Sequence, residues 1–439
     1  YQLKMNSEIN LSKLFFIYGI AIFPLLLLIG PLISELFLIS VIFYSVFFVL
    51  KEDQFKFYKN RYFVFFGIFY LSILFSTILN YYHFNNTIAG IFYFRIPLFA
   101  FSIWFILDKF FHFDKKITMF YSIFLSIMIL DTLIQYFFGK NFVGFEIIND
   151  RVSSFFGEEL ILGGFILRVL PIFLIYLIMS ETLTEKKNNL FVIILISFSC
   201  FTVYLSGERT SFALLILFFF TLFFISKNLR KLIIFIMITF ISLSIILPKL
   251  KNPDLNYPAN RMFEKTYNQF LGIGEEQYEK HKKKLFSKVY LFSHDHHGHY
   301  LLSYKIFKDH MIFGTGVKGF RYLCRNQIYI LENNDGCSTH PHNTYIQILV
   351  SNGLVGFLLL VFALLFVIRE IFVCRNKINS LKEFNKYEIS KAVAISAIFV
   401  NIWPIVPSGN FFNNWLSMIY FYPIGFYLYF KHRKEKQFS

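Results

Sequence analysis

Residues 189–226, NLFVIILISFSCFTVYLSGERTSFALLILFFFTLFFIS, decide the fold. Two apolar runs, 189–205 and 211–226, flank a short polar turn, and neither run carries a charged side chain. A helix that is apolar on every face has no side to turn to water. In hydrocarbon every backbone amide must be satisfied internally, which a helix does. The stretch therefore reads as a transmembrane helical hairpin.

Working outward, the same pattern recurs. The chain has 439 residues, 56% apolar and 16% charged, with 63 Phe and 27 Tyr. That composition excludes a soluble enzyme, a disordered chain and a disulfide scaffold. Apolar runs predict twelve membrane helices at 14–29, 32–50, 62–79, 88–107, 117–138, 161–180, 189–205, 211–226, 232–248, 344–368, 392–407 and 412–430. Several are shorter than the ~20 residues of a full span and rely on flanking aromatics at the interface. Run 14–29 resembles a signal core, but no small-residue cleavage motif follows and another run begins at once, so it reads as a retained helix.

The net charge of +16 would point to nucleic acid in a soluble protein. Here it follows topology. Segments 1–13, 51–61, 108–116, 181–188, 227–231, 369–391 and 431–439 hold 24 Lys and Arg, whereas the short connections on the other side hold Lys140, Arg151 and Arg209. The positive-inside rule then places both termini in the cytoplasm, with no nucleic-acid partner. Three regions result: helices one to nine in 1–248, a large outer connection in 249–343, and helices ten to twelve in 344–439. The connection holds eight of the eleven His, namely His281, His294, His296, His297, His299, His310, His340 and His342. Within it 299–312 has the spacing of an amphipathic helix lying on the membrane face.

The segment 339–356, THPHNTYIQILVSNGLVG, stands out. Thr344 with Gln347 fits a capping box, so the tenth helix is expected to start there. Pro341 keeps His340 extended. His342 and Asn343 fall just before a helix N-terminus, where the dipole disfavours imidazolium and attracts an anion. A neutral His there suits a general base; the plainer alternative is a solvated capping loop. In SGERTSF, 206–212, Gly207 suits a C-cap and Thr210 or Ser211 an N-cap, which sets Arg209 at the outer boundary. Its guanidinium can clamp a diphosphate or simply snorkel to headgroups. Arg95 and Arg168 lie about seven residues inside helices, roughly 10 Å deep, with Asp131 and Glu35 as candidate partners. Arg168 can line the same cavity as Arg209. Glu158 and Glu159 fit the first turn of the sixth helix.

Other motifs read as bland. HDHHGH, 294–299, offers imidazoles suited to zinc or copper, but no HExxH spacing accompanies it, and no metal is expected. GTGVKG, 314–319, matches GxGxxG without a βαβ context and reads as a tight turn. Four Cys without CxxC exclude a zinc ribbon or an iron–sulfur pattern. Cys324 and Cys337, 13 residues apart in the outer connection, are placed to form a disulfide. Cys200 and Cys374 cannot join them.

Taken together, these motifs resemble the O-antigen ligase and polymerase superfamily of bacterial inner membranes. Its ligases show H-[NSQ]-x9-G-x-x-[GTY]; here His342 and Asn343 are followed by nine residues and then Gly353-Leu-Val-Gly356. An Arg in the turn between two mid-chain helices matches Arg209, and FKDHMIFGTGVKGF matches an amphipathic stretch ending in Gly-x-Gly and Phe. The resemblance covers about 150–360. The family's loop arginine is missing, since no Arg occurs between 262 and 320. His296 or His299 fills that role, or Arg261, Lys305 or Lys318 reaches in, or the activity differs.

The resemblance implies an all-α polytopic fold similar to GT-C-type glycosyltransferases. It also implies cofactor-free, inverting glycosyl transfer on the periplasmic face. The donor would be an undecaprenyl-pyrophosphate-linked glycan and the acceptor lipid A–core, or a second lipid-linked glycan in a polymerase. His342 would be the base. Arg209, Arg168, His340, Asn343, His296, His299 and Arg95 would bind substrate. A lipid-linked glycan transporter is the reading from another class, but transporters place polar residues at the midplane in paired repeats, which this sequence lacks.

Overall fold

The computed structural model describes residues 11–80, 84–184, 189–251, 260–271, 292–329, 336–381 and 383–433. His281 and the stretches 252–259, 272–291 and 330–335 of the long connection lie outside the described residues. Helices run as α1 (Leu11–Ala21), α2 (Phe23–Ile29), α3 (Pro31–Lys51), α4 (Arg61–Leu79), α5 (Phe84–Ile91), α6 (Arg95–Lys109), α7 (Lys115–Phe138), α8 (Leu162–Met179) and α9 (Asn189–Leu205). They continue as α10 (Arg209–Ile225), α11 (Arg230–Lys251), α12 (Lys265–Leu271), α13 (His294–Asp309), α14 (Gly319–Leu323), α15 (Thr344–Ser380), α16 (Lys386–Asn401) and α17 (Asn414–His432).

Every apolar run carries a helix, and among the described residues seven helical stretches are long and apolar enough to cross a membrane. The architecture is an all-helical, multi-pass membrane bundle. Among those residues the β pairing is confined to the isolated bridges Lys140–Glu146 and Ile148–Arg151. α8 is buried on nearly every side and packs against α9 and α16, while α17 packs against α6 and α16. Apart from Arg168 the α8 sequence is apolar on every face, which suits that central place.

Three expected boundaries shift. Run 14–29 is two helices, divided at Ile22 ahead of Pro24. Run 392–407 ends as helix at Asn401, because Pro404 and Pro407 follow, and 402–413 is an irregular segment. Helix 344–368 continues to Ser380 and is interrupted at Gly353, whose φ is 63°.

That interruption explains the spacing after His342. At the break the chain 311–316 lies backbone to backbone on α15: Leu354 N donates to Met311 O at 2.8 Å, and Thr315 N to Val350 O at 2.8 Å. Ser76 of α4 closes the joint, donating to Ser351 O at 2.6 Å and accepting from Gly316 N at 3.0 Å. A Cβ on Gly353 would lie 2.2 Å from Ile312 O, and one on Gly314 2.4 Å from the Ser351 carbonyl carbon. Both glycines have positive φ and admit no side chain. The Gly-x-Gly turn is thus the clasp that docks the long connection onto the bundle. The opening turns of α15 are pinned at both ends.

Candidate functional site

The turn between α9 and α10 organises the site. Gly207, φ 67°, ends α9 in the left-handed conformation. Neither Thr210 nor Ser211 caps α10; Glu208 occupies that position, and its carboxylate takes none of the opening backbone amides of α10. Its carboxylate reaches instead to α8, accepting from Gly163 N at 2.7 Å and Gly164 N at 3.0 Å. It also accepts from Ser211 Oγ at 2.7 Å and faces Arg151 Nη2 at 3.6 Å. Glu208 therefore satisfies the first amides of α8, the task expected of Glu158 and Glu159, which are exposed. The glycines permit the approach: a Cβ on Gly163 would lie 2.4 Å from Ser206 Oγ. Burial pushes Glu208 above the ordinary carboxylate range, while Ser211, Arg151 and the two amides pull it back.

Around this carboxylate stand four arginines. Arg168 Nη1 donates to Gly164 O at 2.6 Å and Nη2 to Tyr420 Oη at 3.0 Å, with the guanidinium over the Tyr420 ring. Arg209 Nη1 donates to Gln269 Oε1 of α12 at 3.0 Å. Arg151 donates to Ser206 O and Leu160 O; Arg261 donates to Gly207 O and Asn149 O. Burial lowers the Arg151 pKa, Glu208 opposes, and the Arg261 charge lowers it further. All four line one cavity of about 360 Å³, together with Glu208, His296, His340 and His342. Among the described residues that lining holds a single carboxylate.

His340 and His342 arrive on a short strap, and His296 and His299 face them from α13. Cys324 and Cys337 are bonded, with Cα atoms 5.0 Å apart. Gly336 O, beside Cys337, accepts from His299 Nδ1 at 2.9 Å, and Ser338 Oγ meets His342 Nε2 at 3.2 Å. The disulfide thus anchors the segment that carries His340 and His342. The ring of His342 lies 4.0 Å from His340, 5.2 Å from His299 and 5.7 Å from His296, centroid to centroid. His342 has φ 56°, a strained conformation for a residue with a side chain, held because its carbonyl accepts from Ser408 N at 2.8 Å. Burial, then the neighbouring imidazoles, lowers the His342 pKa to about 3. His340 is lowered to about 4, mainly by burial, and His296 is lowered too. At neutral pH these three rings are uncharged. Among the described residues His340 Nε2 is buried without a hydrogen-bond partner.

The helix start differs from the expected capping box. Asn343 is the N-cap, accepting at Oδ1 from Tyr345 N at 2.9 Å and Ile346 N at 3.1 Å. Its Nδ2 donates to Pro404 O and Val406 O. Gln347 instead donates to Asn410 Oδ1 and accepts from Phe411 N. Two of the first amides of α15 are therefore taken by the cap, and the pull on an anion comes from the arginines. The same bonds stitch 402–413 onto α15 and bring Trp403, Val406, Pro407 and Ser408 into the cavity wall.

Other candidates lie elsewhere. Arg95 pairs with Glu35, donates to Asn414 Oδ1 and Phe92 O, and does not line the cavity; its charge is compensated within the bundle. Among the described residues Asp131 holds no arginine, accepting from Asn141, Phe142 N and Ser154. Lys305 is exposed, and Lys318 starts α14 away from the cavity. Among the described residues no three His, Cys, Asp or Glu groups are placed to hold a metal ion. Glu208, Arg151 and the 402–409 wall escape sequence reasoning; the proline pair in WPIVPSG was the available signal for the last.

Residues 191–361 match the family model described as O-antigen ligase. The match runs from α9 through the Arg209 turn and the long connection to beyond the Gly353 break, and it bears out the resemblance read from the motifs. Among curated proteins none matches the chain.

Proposed function

We propose that this chain is an O-antigen ligase-type inverting glycosyltransferase. It moves a glycan from undecaprenyl pyrophosphate to lipid A–core on the periplasmic face of the inner membrane. The bundle would cross the membrane twelve times with both termini cytoplasmic, in the manner of GT-C-type enzymes. One observation carries the reading: a neutral His342 faces a cavity with four guanidiniums and one carboxylate.

A pyrophosphate is a competent leaving group, so the protein need only gather its growing charge and aim the acceptor. The acceptor oxygen attacks the anomeric carbon opposite the pyrophosphate, and its proton passes to His342. The bond from that carbon to the pyrophosphate oxygen breaks, and the electron pair leaves with the lipid diphosphate. Arg168, Arg209 and Arg261, with Arg151 behind them, receive that charge; Arg261 takes the place of the family's loop arginine. His340 and His296 line the sugar side, His299 backs His342, and Asn343 holds the helix start. The lipid leaves toward an apolar groove on α10 that shares Leu214, Trp403 and Val406 with the cavity. The H-[NSQ]-x9-G pattern favours ligase over polymerase.

The test uses purified protein with lipid-linked donor, no ATP, and either lipid A–core or a second lipid-linked glycan as acceptor. Product on lipid A–core is expected, with His342→Ala and Arg209→Ala each losing at least about a hundredfold. Full activity in both variants, or donor movement without product, overturns the proposal.

A further inference from the structure

A second cavity, about 700 Å³, runs between α4, α15, α16 and α17, walled by apolar side chains such as Phe66, Phe362, Ala363 and Ile398. One end shares Asn401 and Tyr420 with the arginine cavity. At the other end stand Arg61 and Arg369, both exposed. Arg61 Nη2 donates to Tyr62 Oη at 3.1 Å and lies over that ring. Arg369 Nη1 is 3.3 Å from Glu370 Oε1, on a carboxylate already held by Lys431 at 2.6 Å and Tyr427 at 2.9 Å. Among the described residues this mouth sets Arg61, Arg369 and Lys431 against Glu370.

The transfer reaction makes no use of this trough. An apolar slot that ends in two guanidiniums complements an amphiphile with an anionic phosphate and a long chain. Its lining runs over 61–69 on α4 and 359–369 on α15, about 12–15 Å at the helical rise. That is close to one leaflet of a bilayer with ~30 Å of hydrocarbon. The length fits an acyl chain anchored at one surface, whereas a polyprenyl tail descending from the arginine cavity would arrive with no phosphate for Arg61 and Arg369. We propose that the trough binds an anionic glycerophospholipid of the bilayer, its phosphate on Arg61 and Arg369 and one acyl chain between α4 and α15.

The test places the full chain in nanodiscs of mixed phosphatidylglycerol and phosphatidylcholine, extracts it in mild detergent and measures retained lipid by native mass spectrometry. The wild type is expected to retain phosphatidylglycerol over phosphatidylcholine by about tenfold. The double variant Arg61→Gln, Arg369→Gln, at two exposed positions, keeps its fold and loses the preference. Ala363→Trp fills the slot and loses both lipids. Equal retention of the two lipids by the wild type, or unchanged retention in Ala363→Trp, overturns the proposal, as does a polyprenyl phosphate retained in place of phospholipid from cell membranes. Because the readout is lipid and not glycan product, its outcome is separate from that of the transfer assay.

Discussion

The two ends of the bundle treat buried charge in opposite ways. Far from the arginine cavity, cations meet carboxylates directly. Lys431 lies 2.6 Å from Glu370, and Lys377 and Lys391 lie 2.7 and 2.5 Å from Glu388. At the cavity, Arg168 is held by a carbonyl and a phenol and Arg261 by two carbonyls. Neutral acceptors fix a guanidinium in place without cancelling its charge. A pair closed on itself stabilises an end of a bundle, whereas an oriented cation without a counter-ion is built to receive an anion.

The largest effect that separates the ends is expected from Arg168→Ala beside Glu370→Gln. The first should lower kcat/KM by about a hundredfold, near 2.7 kcal/mol of transition-state stabilisation, with little change in melting. The second should leave transfer within about twofold but destabilise the fold by about 3–5 kcal/mol, as expected when a buried pair loses one partner. Kinetics and thermal unfolding in detergent read both. If the two variants shift the same quantity, the contrast is wrong.

Glu208 sharpens the contrast: it is the one carboxylate among the described residues of the cavity lining, and besides facing Arg151 it serves backbone amides of α8. Glu208→Gln removes the charge and one of two acceptor oxygens, so the start of α8 loosens and Arg168 loses its aim. A loss of about tenfold in kcat is expected, of the size general for displaced positioning groups. Donor KM should not rise, since the cavity becomes more positive. A rise in KM with unchanged kcat would show that Glu208 contacts the donor itself.

The disulfide ranks below these. Cys324→Ser with Cys337→Ser frees a 13-residue loop, worth about 3 kcal/mol in the unfolded chain. Activity should fall only about threefold, since Ser408 and Asn343 still hold the strap from the bundle side. A larger loss would mean that the strap, and not the stitch to 402–413, sets the place of His342.

How much of this was legible in the sequence depends on the kind of signal. Apolar runs marked the long apolar helices because lipid contact is written residue by residue, whereas the short α12 and α14 of the long connection carried no such run. Arg209 and His342 were legible because a turn charge and a His-Asn before a helix are local patterns. Glu208 was not, because its task is to cap a helix that starts 46 residues earlier in the chain, at Leu162. The 402–413 wall was hidden by its own apolarity: Trp403, Ile405 and Val406 prolong a hydrophobic run, and only the prolines betray that the helix has stopped. Arg95, conspicuous by its depth, proved to be compensated by Glu35. Depth shows that a charge needs a partner but does not say which.

The smallest expected effect is the absence of one. An ordinary histidine base gives a rate that falls below pH ~6.5. His342 sits among His296, His299 and His340 with its pKa lowered to about 3, chiefly by burial. It is therefore neutral through the range in which a solvated imidazole titrates. The kcat/KM profile should run flat through pH 6.5 and turn down only toward pH ~4. Stability behaves differently, and its sign follows from proton counts. Below about pH 6.5 the unfolded chain protonates His340 and His342, whereas the folded chain waits until about 4 and about 3. The unfolded state then binds more protons, so stability falls as pH drops through that window and is level above it. Melting that declines from pH 6.5 to 4.5 while the rate stays flat would be the mark of a base kept neutral by burial. An activity step at 6.5 that vanishes in the residual rate of His342→Ala would mean that water reaches the ring in the working enzyme, and the reading of a dry, uncharged imidazole facing the arginines would fail.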